Sequence, residues 1–381
     1  ASEAELADET YDNRNVDVQA TPVEPVAPDD FDLHAYVEYE ASLLPRCEAF
    51  WQAPSGVVVY RRMRVAETLT YGCADMERSL ALQLGALQKS MEYAGDVPNF
   101  LEPWYGIGTL ASAFGAEYTW AEGQAPAVKP LFESVSDALQ FDALPVAETP
   151  VGRHTLRMID CFLERTQGML PLSLTDTQSP LNAACGIVDM NAFFLEMFDS
   201  PDQVKALLMK LADLLVAFNR VQLDRIADRI VWPGHGFASA RCFDGIGMSD
   251  DDALMISGPQ YIEFAAPAVE RAAEQFGGPV FHSCGNWSDK TGMVKQIKGL
   301  RMVDAAFGAR TDPSPNDPQA FADAFAGTGV VVNARIVGEP DTVVDIVRQL
   351  WRRDMKLIVV TYCPGPDQQA ETYDRIHEVC A

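Results

Sequence analysis

From about residue 95 onward the chain repeats one order six or seven times: an apolar run of strand length, a polar turn, then a stretch with helical period. Asn99–Tyr105, Met169–Leu174, Gly236–Ala240, Val280–His282, Met302–Asp304, Val330–Asn333 and Leu357–Tyr362 read as strands. Helical stretches fall between them, at 155–168, from Ser200-Pro201, at 261–276, around 293–297 and at 340–353. The best marked is the one starting at Ser200-Pro201, where Val204, Leu207, Leu208, Leu211, Leu214, Leu215 and Phe218 recur at spacings of three and four. That stripe reads as core. Alternating strands and helices predict an α/β fold with a parallel sheet, either doubly wound or closed into a (β/α)8 TIM barrel. We expect the barrel, because the polar residues with chemistry sit just after strands, and a barrel brings those ends to one mouth.

In front of this repeat, residues 31 to about 91 read as helices with a short strand at Gly56–Tyr60, so the barrel carries an N-terminal helical extension. Residues 1–30 are rich in Asp, Glu, Pro and Ala, and read as a flexible acidic arm. Residues 31–381 form one domain in this reading. Arg61, Arg62 and Arg64 make the only dense basic cluster, of a kind usually found on solvated surface.

The sharpest chemical signal is Phe281-His282-Ser283-Cys284-Gly285-Asn286. On a strand, His282 and Cys284 share a face. The run Leu357–Tyr362 ends in a comparable way at Cys363-Pro364-Gly365. One imidazole and two thiolates suit zinc, and three protein ligands with a fourth position open is the catalytic pattern. A lone cysteine at a strand end is more often an inert thiol, so the metal reading depends on the fold bringing Cys363 to the pair. Glu102, Asp176, Gln178 and Tyr362, all after strands, are candidates for orienting a substrate or supporting ligands, although such residues also cap helices. Trp104 and Tyr105 are candidates for lining an aromatic-substrate pocket or plugging the mouth. Cys242 reads as core.

Composition excludes some partners. The 381 residues carry 29 Lys and Arg against 55 Asp and Glu, a formal charge of −26, which disfavours nucleic acid and anionic membrane. Eight scattered cysteines suggest reduced thiols. No apolar span is long enough for a transmembrane helix and the start is acidic, so the expected location is cytoplasmic.

The His282-Ser283-Cys284 motif, distant Cys363, the Asp199-Ser200-Pro201 helix start and the Ser249-Asp250-Asp251 turn resemble the uroporphyrinogen decarboxylase superfamily. Within it they are similar to the zinc-dependent cobalamin methyltransferases, including the methylcobamide:coenzyme M enzymes, over roughly residues 31–381. The resemblance implies zinc on His282, Cys284 and Cys363, and methyl transfer between a corrinoid protein and a zinc-activated thiol, methyl ether or thioether. The corrinoid-binding pattern Asp-x-His-x-x-Gly is missing from the sequence, so cobalamin would come from a partner protein. True decarboxylases resemble the chain less. Their Met-Arg-Gln-Ala-Gly-Arg segment is not matched by Arg61-Arg62-Met63-Arg64. A metal-free decarboxylase-like enzyme is the alternative expectation, and a non-catalytic binding protein on the same scaffold a third.

Overall fold

Six strands, β1 Gly56–Arg61, β2 Ile246–Ser249, β3 Pro279–His282, β4 Met302–Phe307, β5 Val331–Ile336 and β6 Lys356–Thr361, form one sheet in the order β1-β6-β5-β4-β3-β2. Every pairing is parallel. The computed structural model describes residues 17–121 and 124–381. Strands such as Lys356–Thr361 are apolar runs because both faces of the sheet are covered. Alternation divides them cleanly. Val59, Phe281, Val303, Val332, Ala334, Leu357 and Val359 pack toward the helices in the main core. Val58, Tyr60, Val280, Met302, Val331, Ile358, Val360 and Tyr362 pack on the opposite face in a second core.

Beyond the edges of this sheet, single contacts replace ladders. Asp96 N donates to Val59 O at 2.8 Å, Leu101 N to Pro171 O at 2.9 Å, Leu172 N to Arg229 O at 3.0 Å and Gly247 N to Pro233 O at 3.1 Å. Leu101↔Leu172 and Leu172↔Ile230 are isolated parallel bridges. The expected strand near 99–105 is thus an extended segment held by one bridge, and the one near 169–174 is held by two, both at Leu172. The expected strand at 236–240 is instead a turn, closed by an antiparallel bridge between Trp232 and Ala240. The strand in that region is β2, which two glycines disguise in the sequence. A Cβ on Gly247 would stand 2.3 Å from the Phe237 ring, so this position must be bare for the turn to pack on β2.

The helix Pro201–Ile226 lies where its stripe predicts, with Val204, Leu207, Leu208, Leu211 and Leu215 fully buried and Leu214 only partly so. Helices Leu33–Gln52 and Met76–Ser90 make the N-terminal extension. Of the acidic arm, residues 1–16 lie outside the described residues. Residues 17–30 are packed against the domain rather than loose. Thr21 N donates to Arg64 O and Val26 N to Ala81 O. The basic cluster is also not solvated surface: Arg61 is buried, donating to Cys363 O at 2.9 Å and Thr21 Oγ1 at 3.1 Å, and Arg64 pairs with Asp17 at 2.5 Å. Among the described residues no helix is long and apolar enough to cross a membrane.

The loop after β3 is fixed by Trp287, fully buried with its ring edge-on to Phe281, Phe321 and Phe325. Asn316 braces the same loop, accepting from Trp287 N at 2.8 Å and donating to Gly285 O at 3.0 Å. Trp287→Ala should cost about 3–5 kcal/mol in urea unfolding, the usual loss for a large buried aromatic.

Candidate metal centre and active site

His282 is the last residue of β3 and faces the second core, since Val280, two positions earlier, does so. Its Nδ1 stands 2.6 Å from Asp304 Oδ2 on β4, the residue directly beside it in register. Asp304 is itself almost fully buried and accepts from Arg335 Nε at 2.9 Å and Asn333 Nδ2 at 2.5 Å, both on β5. Burial would raise this carboxyl, but Arg335 first, then His282 and Asn333, hold it well below the usual carboxylate range. A permanently ionised acceptor at Nδ1 keeps a proton on that nitrogen and directs Nε2 away from the strand.

Nε2 faces two further donors. Cys284 Sγ is 3.5 Å away and Asp251 Oδ1 3.8 Å. One ligand atom from each of Asp251, His282 and Cys284 lies within 4.8 Å of the others. Two donors sharing a tetrahedral zinc ion stand about 3.5 Å apart, so the His282–Cys284 pair matches that spacing and Asp251 lies near it. Asp251 Oδ1 also accepts from the Cys284 backbone N–H at 2.6 Å, which ties the two loops together. Behind it, buried Asp250 accepts from Tyr261 Oη at 2.5 Å and Ser179 Oγ at 2.7 Å. Burial, with Asp251 and Asp252 nearby, pushes its carboxyl up to about 7. For His282, burial acts downward, but Cys284 and Asp304 together raise the imidazole to about 10 in the metal-free protein.

A second constellation lies one aromatic ring away. His235 meets Phe237 edge-on at 6.2 Å, and Phe237 meets His282 at 5.9 Å. His235 Nδ1 is 2.5 Å from Glu102 Oε1, and Nε2 is 3.4 Å from Asp176 Oδ2. Gln178 completes the group, donating both its backbone and its side-chain N–H to Asp176. The backbone here is contorted: Gly234, His235 and Gly236 have φ of 86°, 33° and 68°, and Gln178 has 60°. Glycines on either side let the imidazole turn back toward the two carboxylates. A side chain at 236 would also collide with Arg62 Nη2, at 2.2 Å.

A model of the uroporphyrinogen decarboxylase (URO-D) family matches residues 52–357. The chain belongs to that family. No curated protein matches it significantly. Among solved structures, this URO-D family member is similar to a methyltransferase from Methanosarcina mazei, with a TM-score of 0.60 and 14% identity. The likeness covers 89% of this chain and 98% of that one, and at this identity it speaks for a shared fold.

Of the residues singled out in the sequence, the structure brings His282 to Cys284, and Glu102 to Asp176 and Gln178. It does not bring Cys363 to the donor group. Cys363 is buried with Sγ 3.5 Å from Thr372 Oγ1, on the helix Pro366–Cys380. The reason is alternation: Ile358, Val360 and Tyr362 face the second core, so Cys363 continues the line of Leu357, Val359 and Thr361 toward the helices. Asp251 stands in the donor set instead. Trp104 is buried and borders a cavity of about 60 Å³. Tyr105 is a plug, stacked on His154 at 3.7 Å. Cys242 packs against the second core, as expected.

His235, Asp304, Asn333 and Arg335 carried no sequence signal of function. His235 lies in the Gly-His-Gly triplet at 234–236, whose flanking glycines were the available hint. Burial would lower the His235 imidazole, but Asp176 and Glu102 outweigh it and raise it above the usual value. A raised folded value gives stabilisation that is complete below about pH 6.5 and fades as pH climbs through that folded value. Glu102→Gln should therefore cost about 1–3 kcal/mol near pH 6, with the deficit shrinking in alkali, read by urea unfolding across a pH series.

Proposed function

We propose that this URO-D family member is a metal-dependent methyltransferase. In this reading zinc is held by Asp251, His282 and Cys284, and a methyl group moves between a corrinoid partner protein and a small thiol, methyl ether or thioether. The observation that carries the reading is the mixed donor set around His282 Nε2, with Nδ1 already fixed by a buried, ionised Asp304. Ligands held this way need little reorganisation to bind metal. The likeness to a methyltransferase from Methanosarcina mazei supports the same reaction class. The single hydrogen bonds at both edges of the sheet, with the bridges among Leu101, Leu172 and Ile230, support a closed (β/α)8 barrel, with its site at the strand ends.

Zinc bound there would keep the substrate's sulfur or oxygen anionic at neutral pH. The chain's own residues do the rest. Asp304 holds the His282 ring in one orientation, and Asp251 ties the loop after β2 to the loop after β3. The Glu102–His235–Asp176 group keeps a proton one ring away from His282, at the distance of a second contact with a small substrate. Gln178 fixes Asp176 in that group, and Tyr362 offers a hydroxyl from just past β6. Cobalamin arrives on the partner, because this chain lacks the corrinoid-binding motif.

Protein purified without chelator should carry about one equivalent of zinc. His282→Ala and Cys284→Ser should each abolish that stoichiometry, whereas Cys363→Ser should retain both the metal and methyl exchange with methylcobalamin. Loss of zinc from Cys363→Ser would overturn the ligand set. Protein that never takes up metal would favour the metal-free enzyme. Zinc must also displace the proton that His282 holds up to about pH 10, so its apparent affinity should rise with pH toward that value in chelator competition.

A further inference from the structure

Asp251 reaches the donor group from a turn with little packing of its own. Past the end of β2 the chain makes a short 3-10 turn, Asp251–Met255, in which Ala253 is the one buried residue. The Asp251 side chain is 44% exposed and lies 3.8 Å from His282 Nε2, so a small drift of the turn would take the carboxylate out of range. Asn182 Oδ1 accepts from Asp252 N at 2.9 Å, which holds the start of the turn. Carbonyls at the end of such a turn have no N–H ahead of them to accept from. Lys290 supplies the donors. Its Nζ stands 3.1 Å from Ala253 O, 3.1 Å from Leu254 O and 2.6 Å from Ile256 O. Three acceptors match the three N–H bonds of an ammonium group, and a cation suits the negative end of a helical turn.

Lys290 itself stands on a firm base. It ends the turn Ser288–Lys290, directly after Trp287, whose burial fixes the loop after β3. Ser288 Oγ accepts from Asp317 N at 2.8 Å and braces the same turn. The loops after β2 and β3 are thus joined twice, by Lys290 at one end and by the bond from Cys284 N to Asp251 Oδ1, 2.6 Å long, at the other. The bond at Cys284 is exposed, and a single hydrogen bond open to water holds little, whereas the Lys290 bonds are partly buried. We infer that Lys290 is a positioning residue for Asp251, acting through the backbone of the turn to keep that carboxylate beside His282 and Cys284. That the carboxylate then meets a metal rests on the metal-centre reading; its placement by Lys290 does not.

The test measures zinc affinity by chelator competition for wild type, Lys290→Met, Asp251→Asn and the double variant. Lys290→Met should weaken zinc roughly tenfold, as the loss of a residue supporting a ligand does. The double variant should bind no more weakly than Asp251→Asn alone, because Lys290 acts only through Asp251. Losses that multiply, or a Lys290→Met protein that binds zinc like wild type, would overturn the inference. A second measurement needs no metal. In chelated protein, Lys290→Met should speed hydrogen exchange of the Cys284 amide roughly tenfold, read by NMR. The Gly285 amide, which donates to Asp312 Oδ2 at 3.1 Å, should keep its rate. An unchanged rate at Cys284, or an equal rise at Gly285, would show that Lys290 does not act on Asp251. If wild type takes up no zinc, the metal reading fails by itself and the exchange rates decide. Should Lys290→Met not fold, Lys290→Gln, which keeps a neutral donor, is read in the same way.

Discussion

The arrangement depends on one buried carboxylate. Asp304 lies in the middle of the sheet, where an unpaired charge would cost many kcal/mol. It is tolerable only because imidazole, guanidinium and amide donors converge on it from β3 and β5. Each donor is in turn held by its strand, so the group is as rigid as the sheet. Removing Asp304 would free the His282 ring and leave Arg335 buried without its anion. The direction in which Nε2 points, and therefore where a metal could sit, is set by this pairing rather than by the exposed loops that carry Cys284 and Asp251.

Two imidazoles one phenyl ring apart are set up for different tasks by their partners. His282 has a carboxylate on one nitrogen and soft or exposed donors at the other, which is how a metal ligand is presented. His235 has a carboxylate at both nitrogens and so holds a proton tightly, while staying partly open to solvent. The twisted backbone at 234–236 places that ring between Pro233, which accepts from β2, and Phe237, which packs on it.

The architecture was legible because its signals are local. Strand runs ending in turns, and a helix beginning at Ser200-Pro201, are written in neighbouring residues. The site was half legible. His282 and Cys284 share a strand face, so their meeting followed from period two. Cys363 stands one residue off that period: Tyr362 beside it packs on the second core, while Cys363 Sγ lies against Thr372 on the helix Pro366–Cys380. Asp304, Asn333 and Arg335 were missed because each looks like an isolated polar residue in an apolar strand, and only the register of β3, β4 and β5 assembles them. The arginines at 61, 62 and 64 looked like surface because nothing local shows that the start of the chain and the end of β6 close over them.

That last misreading bears on the electrostatics of the interior. A chain with a formal charge of −26 has an acidic exterior, whose field at physiological salt decays over about 8 Å. Inside, Arg61 of β1 and Arg335 of β5 are buried and donate to fixed acceptors, the Cys363 carbonyl and the Asp304 carboxylate. Pairings of this kind come from burial rather than long-range attraction, so they persist at high ionic strength, unlike pairs of exposed charges.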